Sequence, residues 1–166
     1  MPNRRIEDQI AALQHAAQDG PTPAVEAALR KALTDRVGLV VAKAAKIAAG
    51  LQMRDLFPDL LRAYDRLFEK PLDRDPQCWG KNAIAKALVE MDYRDSPPFE
   101  RGANHVQIEP AFVRPEDTAP QLRAICVLAR SSLNAPMGAA PCRSSSSTAS
   151  RLAATRSLPP WFARAN

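Results

Sequence analysis

The chain has 166 residues, a mass of 18.1 kDa, a formal net charge of +5 and a sequence pI near 9.4. This length corresponds to about one domain, which can bury enough surface to be stable without metals or disulfides. Residues 1–130 hold 19 basic and 18 acidic residues, whereas residues 131–166 hold four arginines and no acid. The basic character therefore belongs mainly to the last segment and does not by itself indicate a nucleic-acid-binding body.

Several classes of protein are excluded by composition. The sequence has no apolar run long enough to span a bilayer, and acidic residues follow Arg4 and Arg5 where a secretory signal needs an apolar segment. Three widely spaced cysteines (Cys78, Cys126 and Cys142) form no CxxC pair, so we expect a cytoplasmic protein without disulfides or zinc. Thirty alanines against nine aromatic residues favour packed helices over a sheet.

Apolar residues at helical spacing predict three helices in the first 50 residues, over about 3–18, 23–33 and 37–50. Gly20-Pro21 ends the first helix. Thr22 is the expected N-cap of the second helix, with Pro23 in its first turn. The predicted core of the third helix consists of Val37, Val40, Val41, Ala44, Ile47, Ala48 and Leu51.

Two further long helices are predicted over about 54–69 and from Asp75-Pro76 to about Met91. The expected buried side of the latter begins at Trp79 and continues through Ala83, Ile84, Ala87, Leu88 and Met91. Its expected open side carries Lys81, Asn82, Lys86 and Glu90. A short helix over 96–101, an irregular segment over 102–117 and a last helix from about Thr118 complete the pattern, and no helical period continues beyond Arg130.

The helix pairs contain an internal repeat. Val41-Ala-Lys-Ala-Ala aligns with Trp79-Gly-Lys-Asn-Ala, and the same offset pairs Asp35 with Asp73 and Lys43 with Lys81. On these residues the segment of about 22–91 resembles the HEAT repeat (armadillo-like α-solenoid) family. The resemblance implies an all-α solenoid of antiparallel HEAT-like helix pairs, with the aspartates in the turns between paired helices and the lysines in a polar ladder along the stack.

The composition changes abruptly at the end of the predicted solenoid. Residues 131–166 contain eight serines, eight alanines, four prolines and four arginines, but no Asp, Glu, Lys, Gln, Ile or Val. We therefore divide the chain into a helical repeat domain over 1–130 and a C-terminal tail over 131–166. One interpretation of the tail is a disordered basic terminus. The other is out-of-frame translation that replaces further repeats of the natural solenoid.

No motif in the sequence predicts an enzyme, a cofactor or a metal site, because P-loop, GxGxxG, HExxH and GxSxG patterns are all absent. His15 has no ligand partner at a suitable spacing. His105 lies near Glu109 in the irregular segment, and that placement alone is a weak indication of acid–base chemistry. Cys78 at a helix start has no histidine partner and is expected to be a packing residue.

The predicted function is therefore non-catalytic: a protein-interaction module, such as a scaffold or adaptor, that uses the concave face of the solenoid. The predicted partner-binding residues are exposed side chains of the second helices, namely Lys43, Lys46, Lys81, Asn82 and Lys86. An alternative is a HEAT-like nucleic-acid-binding protein that uses the same basic face, as some HEAT-like DNA glycosylases do. A third class, the lyases associated with some bacterial HEAT-like proteins, is supported by no residue.

Overall fold

The computed structural model describes residues 2–111 and 114–134, and most of them are helical. The helices are α1 (Pro2–Ala16), α2 (Pro23–Leu33), α3 (Gly38–Gly50), α4 (Phe57–Glu69), α5 (Pro71–Arg74), α6 (Trp79–Glu90), α7 (Pro97–Ala103) and α8 (Pro120–Asn134). Strands β1 (Ile108–Glu109) and β2 (Glu116–Asp117) form an antiparallel pair in which Ile108 faces Asp117. None of the helices in this part of the chain combines the length and apolarity that a bilayer crossing requires.

The prediction of an all-α chain is confirmed to the extent that the described residues are mostly helical. Several predicted helix boundaries differ from the observed ones. A 3-10 turn over Arg54–Leu56 precedes α4, and the four-residue helix α5 was not expected. The segment predicted to be irregular contains β1 and β2. Helix α8 continues to Asn134, beyond the predicted end of the periodic pattern, and the rest of the tail lies outside the described residues.

The start of α2 follows the predicted capping chemistry. Thr22 has an extended backbone, and its hydroxyl oxygen accepts a hydrogen bond from the Val25 N–H at 3.3 Å. Pro23 occupies the first turn, where a missing N–H removes no intrahelical hydrogen bond.

The start of α6 departs from the prediction. Asp75-Pro76 leads into a 3-10 turn over Pro76–Cys78 rather than into the helix itself. Gln77 and Cys78 both have positive φ, at 59° and 56°, so the chain makes a left-handed turn before Trp79. The Asp75 carboxylate then accepts hydrogen bonds from the N–H groups of Gly80 and Lys81, which is why the helix begins three residues later than the cap-and-proline pattern suggests.

The long helices pack in pairs. Helix α2 packs on α3, α4 on α6 and α7 on α8, while α3, α6 and α8 lie side by side. Gly38 lies next to Gly80 at the starts of α3 and α6, and Gln52 donates to the Glu90 carbonyl near their ends. Helices α3 and α6 therefore run in the same direction, an arrangement compatible with the predicted α-solenoid.

The core lies between the first helices of these pairs (α2, α4 and α7) and the second helices (α3, α6 and α8). Small residues dominate the contact of α3 with α6, which is the most extensive helix contact among the described residues. Its fully buried alanines are Ala44, Ala45, Ala48, Ala49, Ala85 and Ala87. Larger residues fill the space toward α2, α4 and α8, including Leu29, Leu33, Leu60, Tyr64, Ile84, Leu88 and Leu122. The alanines allow α3 and α6 to approach closely, which brings their exposed faces next to each other.

Gly38 marks the closest approach of α3 to the loop before α6. A β-carbon at this position would lie 2.6 Å from Asp75 Oδ1 and 2.7 Å from the Arg74 carbonyl oxygen. Gly50, at the other end of the same helix, has open space around the corresponding position.

We expect Gly38→Ala to lower the free energy of unfolding by about 1–3 kcal/mol, because the new methyl group overlaps the buried Asp75 carboxylate. Gly50→Ala is the matched control, and we expect it to be neutral or to stabilise by up to about 1 kcal/mol. Urea unfolding followed by circular dichroism measures both changes. Equal stability of the two variants would contradict the close packing at Gly38.

Candidate functional site

Four of the five predicted binding residues line one groove between α3 and α6. Lys43 and Lys46 extend from α3, and Asn82 and Lys86 extend from α6. The groove has a volume of about 440 Å³, and its other lining residues are Leu39, Ala42, Ala49, Trp79, Ala83, Ala87, Glu90 and Gln121. The structure therefore brings these four residues together, while their role in partner binding stays a prediction.

The groove follows from the spacing of its residues along the two helices. Its residues recur at intervals of three or four on each helix, so each helix contributes one stripe. The floor consists of alanines, whereas the longer lysine side chains rise from the rims. Trp79 stands at the N-terminal end of α6 and is 50% exposed. Its predicted burial was wrong, because Trp79 lies on the groove side of α6, whereas Cys78 and Lys81 beside it are buried.

The electrostatics of the groove are mainly positive. Lys43, Lys46 and Lys86 contribute three cations, and Glu90 is the one acid among the described lining residues. None of these lysines forms an ion pair with another described residue. Lys43 is half-buried, while Lys46 and Lys86 are exposed. The three ammonium groups are therefore available to an external ligand.

Lys81 was predicted to be exposed, and the structure corrects this. Its side chain is 0% exposed, and its Nζ lies 3.0 Å from Asp75 Oδ2, which is equally buried. Nζ also donates to the Leu67 carbonyl at 3.4 Å and lies 5.6 Å from the centre of the Phe68 ring. Helix α6 is covered by α3, α4 and α8, so a lysine facing inward needs a buried counter-charge.

Asn82 is also more buried than predicted. It is 8% exposed, and its Nδ2 donates to Gln121 Oε1 at 3.4 Å. Its Oδ1 accepts no hydrogen bond from the described residues. Asn82 therefore belongs to the wall between α6 and α8 and holds an unused acceptor beside the groove.

The predicted pairing of polar residues between the two repeat units, Asp35 with Asp73 and Lys43 with Lys81, is wrong. Asp35 lies in the turn before α3, where its Oδ1 accepts from the Val37 N–H at 2.9 Å without capping the helix. In the second unit Asp75 accepts from N–H groups of α6 itself, whereas Asp73 is exposed on α5. Lys43 lines the groove, while Lys81 is buried in an ion pair. The longer loop before α6 accounts for the shift, because it lets the chain turn and insert Asp75 beneath the helix.

A second polar cluster surrounds the turn before α6. The Gln107 side chain is 2% exposed and donates to the Asp75 carbonyl at 2.9 Å and to Glu109 Oε1 at 2.6 Å. Glu109 Oε1 also accepts from the Gln77 N–H and from the Thr118 hydroxyl. Burial raises the pKa of Glu109, but these hydrogen bonds outweigh it and lower the pKa overall. The cluster fastens the segment carrying β1 and β2 to the start of α6.

Cys78 lies inside this cluster as a packing residue, as predicted. The thiol is buried, and its Sγ lies 3.2 Å from Gln107 Oε1. Burial is the main influence on its pKa, which is raised. A buried thiol with a raised pKa is a poor nucleophile at neutral pH. No group of three metal-ligating side chains comes together among the described residues.

His105 borders the same cluster and does not contact Glu109. Its Nε2 lies 3.2 Å from Gln107 Oε1, and its ring packs edge-on against Phe68 with centroids 4.7 Å apart. Burial lowers the pKa of His105. His15 is exposed on α1, away from both sites. The geometry therefore gives His105 a packing role.

No family model, curated protein or solved structure matches this chain. The resemblance to HEAT repeats consequently stays a prediction from the repeat pattern.

We expect Lys81→Met to lower the free energy of unfolding by about 3–5 kcal/mol, because it leaves the buried Asp75 carboxylate without a counter-charge. Lys86→Met on the exposed face of the same helix is the control and should change stability by less than about 0.5 kcal/mol. The double variant Asp75→Asn/Lys81→Met should recover part of the loss. Urea unfolding tests all three, and equal effects of the two lysine substitutions would contradict the buried pair.

We expect stability to fall between pH 7.5 and 5.5 partly because of His105. Its pKa is lowered in the folded state, so the unfolded chain binds the proton more tightly. The contribution is present above the unfolded pKa of about 6.5 and is lost as the pH falls toward the folded value. His105→Gln should reduce this slope in unfolding experiments, whereas His15→Gln retains His105 and should keep it. An unchanged slope in His105→Gln would contradict the assignment.

Proposed function

We propose that the chain is a non-catalytic protein-interaction module of HEAT-like α-solenoid type that binds a partner protein along the α3–α6 groove. The observation that carries the proposal is the groove itself, in which three lysines that form no ion pair with the described residues surround an alanine floor. A half-exposed tryptophan beside such a floor is the kind of anchor that protein interfaces use. The buried Cys78 and the packed His105 support a binding role over a catalytic one.

The second candidate is nucleic-acid binding, which the same three lysines favour. Lysines attract phosphates, and the affinity then falls steeply with salt concentration. The alanine floor favours a protein partner, because it offers apolar contact and little hydrogen bonding to bases or sugars. The arginines of the 131–166 segment provide a separate source of non-specific attraction, so a test has to distinguish them from the groove.

We expect a photoreactive benzoylphenylalanine in place of Glu90, at the groove, to form protein adducts in cells that express the full chain. The same substitution at Glu69, an exposed residue on α4, is the matched control and should form few. Adding Lys43→Glu, Lys46→Glu and Lys86→Glu should reduce the adducts at position 90 at least fivefold. Equal yields at positions 69 and 90, or yields indifferent to the lysines, would overturn the proposal.

The nucleic-acid alternative is tested by fluorescence anisotropy with labelled single-stranded and duplex DNA at 50 and 200 mM salt. We expect any binding to disappear when Arg143, Arg151, Arg156 and Arg164 are replaced by glutamine. The triple variant Lys43→Gln/Lys46→Gln/Lys86→Gln should leave it nearly unchanged. If DNA binding is instead lost only in the lysine variant, the groove is a nucleic-acid site.

A further inference from the structure

We infer that the occupant of the α3–α6 groove is an acidic amphipathic helix of about three turns, presented by the partner protein. This inference rests on the proposed function and specifies the chemistry of the partner. It is carried by the length of the groove, its backbone surroundings, its charges and its floor.

The length of the groove matches a short helix. The lining of α3 extends from Leu39 to Ala49, which corresponds to about 15 Å along the helix axis. On α6 the lining extends from Trp79 to Glu90 over a similar distance. A helix of three turns has the same length, and its i, i+3, i+4, i+7 positions repeat with the period of the two stripes that form the groove.

The backbone surroundings favour a helix over an extended peptide. Both walls of the groove are α-helices, whose N–H and C=O groups are paired within each helix. An extended peptide would find no strand edge along this groove in the described structure, so its own backbone groups would lack partners. A helix satisfies its backbone internally and requires only side-chain contacts.

The charges specify acidic side chains on the occupant. Lys43 and Lys46 lie on one rim and Lys86 on the other, so carboxylates along both sides of a central helix would meet ammonium groups. Glu90 lies at the C-terminal end of the groove. It disfavours an acidic side chain on the part of the occupant that lies next to it. Each such exposed pair contributes modestly, but several together select the charge of the ligand.

The floor specifies an apolar stripe between those acids. Ala42, Ala83 and Ala87 leave a shallow channel that aliphatic side chains can enter, and Trp79 closes one end with an exposed aromatic ring. A phosphate backbone would place polar and charged groups against this surface.

The test is a selection from a display library of 16-residue peptides built on a helical pattern, with the full chain as the target. We expect the selected sequences to be enriched in Glu and Asp on both sides of an apolar stripe at i, i+3, i+4 and i+7 spacing. Replacing their acids with Gln or Asn should weaken binding about tenfold, as should raising the salt concentration.

The matched protein variants remove the same number of charges at different places. Lys43→Gln/Lys46→Gln should weaken the selected peptides about fivefold. Lys31→Gln/Lys70→Gln, which changes two exposed lysines outside the groove, should leave affinity unchanged. In the variant Trp161→Phe, Trp79 is the single tryptophan, so its fluorescence reports whether the peptide occupies the groove.

Three outcomes would overturn the inference. Selected peptides without acidic enrichment, or with equal affinity for the two lysine variants, would exclude an acidic helix as the occupant. Duplex DNA that displaces the peptides and binds the groove more tightly would replace it with a nucleic acid. If the adducts at position 90 persist while the acidic peptides fail, the interaction function stands and only its ligand chemistry is wrong.

Discussion

The carboxylate of Asp75 is the interaction on which the arrangement of the helices depends. It accepts the N–H groups of Gly80 and Lys81, pairs with the Lys81 ammonium group and lies against Gly38 at the start of α3. Because α3 and α6 run in the same direction, their positive N-terminal ends lie together, and one buried negative charge stabilises both. The groove exists because this contact holds the two helices close and in register.

The two kinds of lysine on these helices have opposite roles. Lys81 belongs to the interior and is neutralised there by a partner of equal burial. Lys46 and Lys86 lie at the surface without a described partner, where a charge is fully hydrated and costs little to maintain. The lysine that stabilises the interior and the lysines assigned to the proposed recognition are therefore different residues, a few positions apart. This separation allows the groove lysines to vary without loss of the fold.

Much of the fold follows from local patterns. The Thr22 cap of α2 and the apolar stripe of α3 from Val40 onward were predictable because they depend on neighbours along the chain, whereas Val37, predicted to be buried, is exposed. The burial of Lys81 was not, since its counter-charge comes from a loop whose left-handed residues no pattern indicates. Trp79 was assigned to the core because it fits the apolar stripe of α6, although it lies on the groove side of that helix. Lys43 and Lys86 do line the groove on the predicted open faces of their helices, whereas their partner-binding role stays a prediction.

The contact of Gly38 with Asp75 also constrains how this sequence can change. The two residues belong to different helix pairs, yet the Asp75 carboxylate occupies the space that a side chain at position 38 would need. A side chain gained at position 38 requires a shorter one at position 75, and the loss of Asp75 would in turn leave Lys81 unpaired. Three positions spread over 44 residues thus depend on one another, so a substitution at one of them alters the packing or the charge balance of the other two.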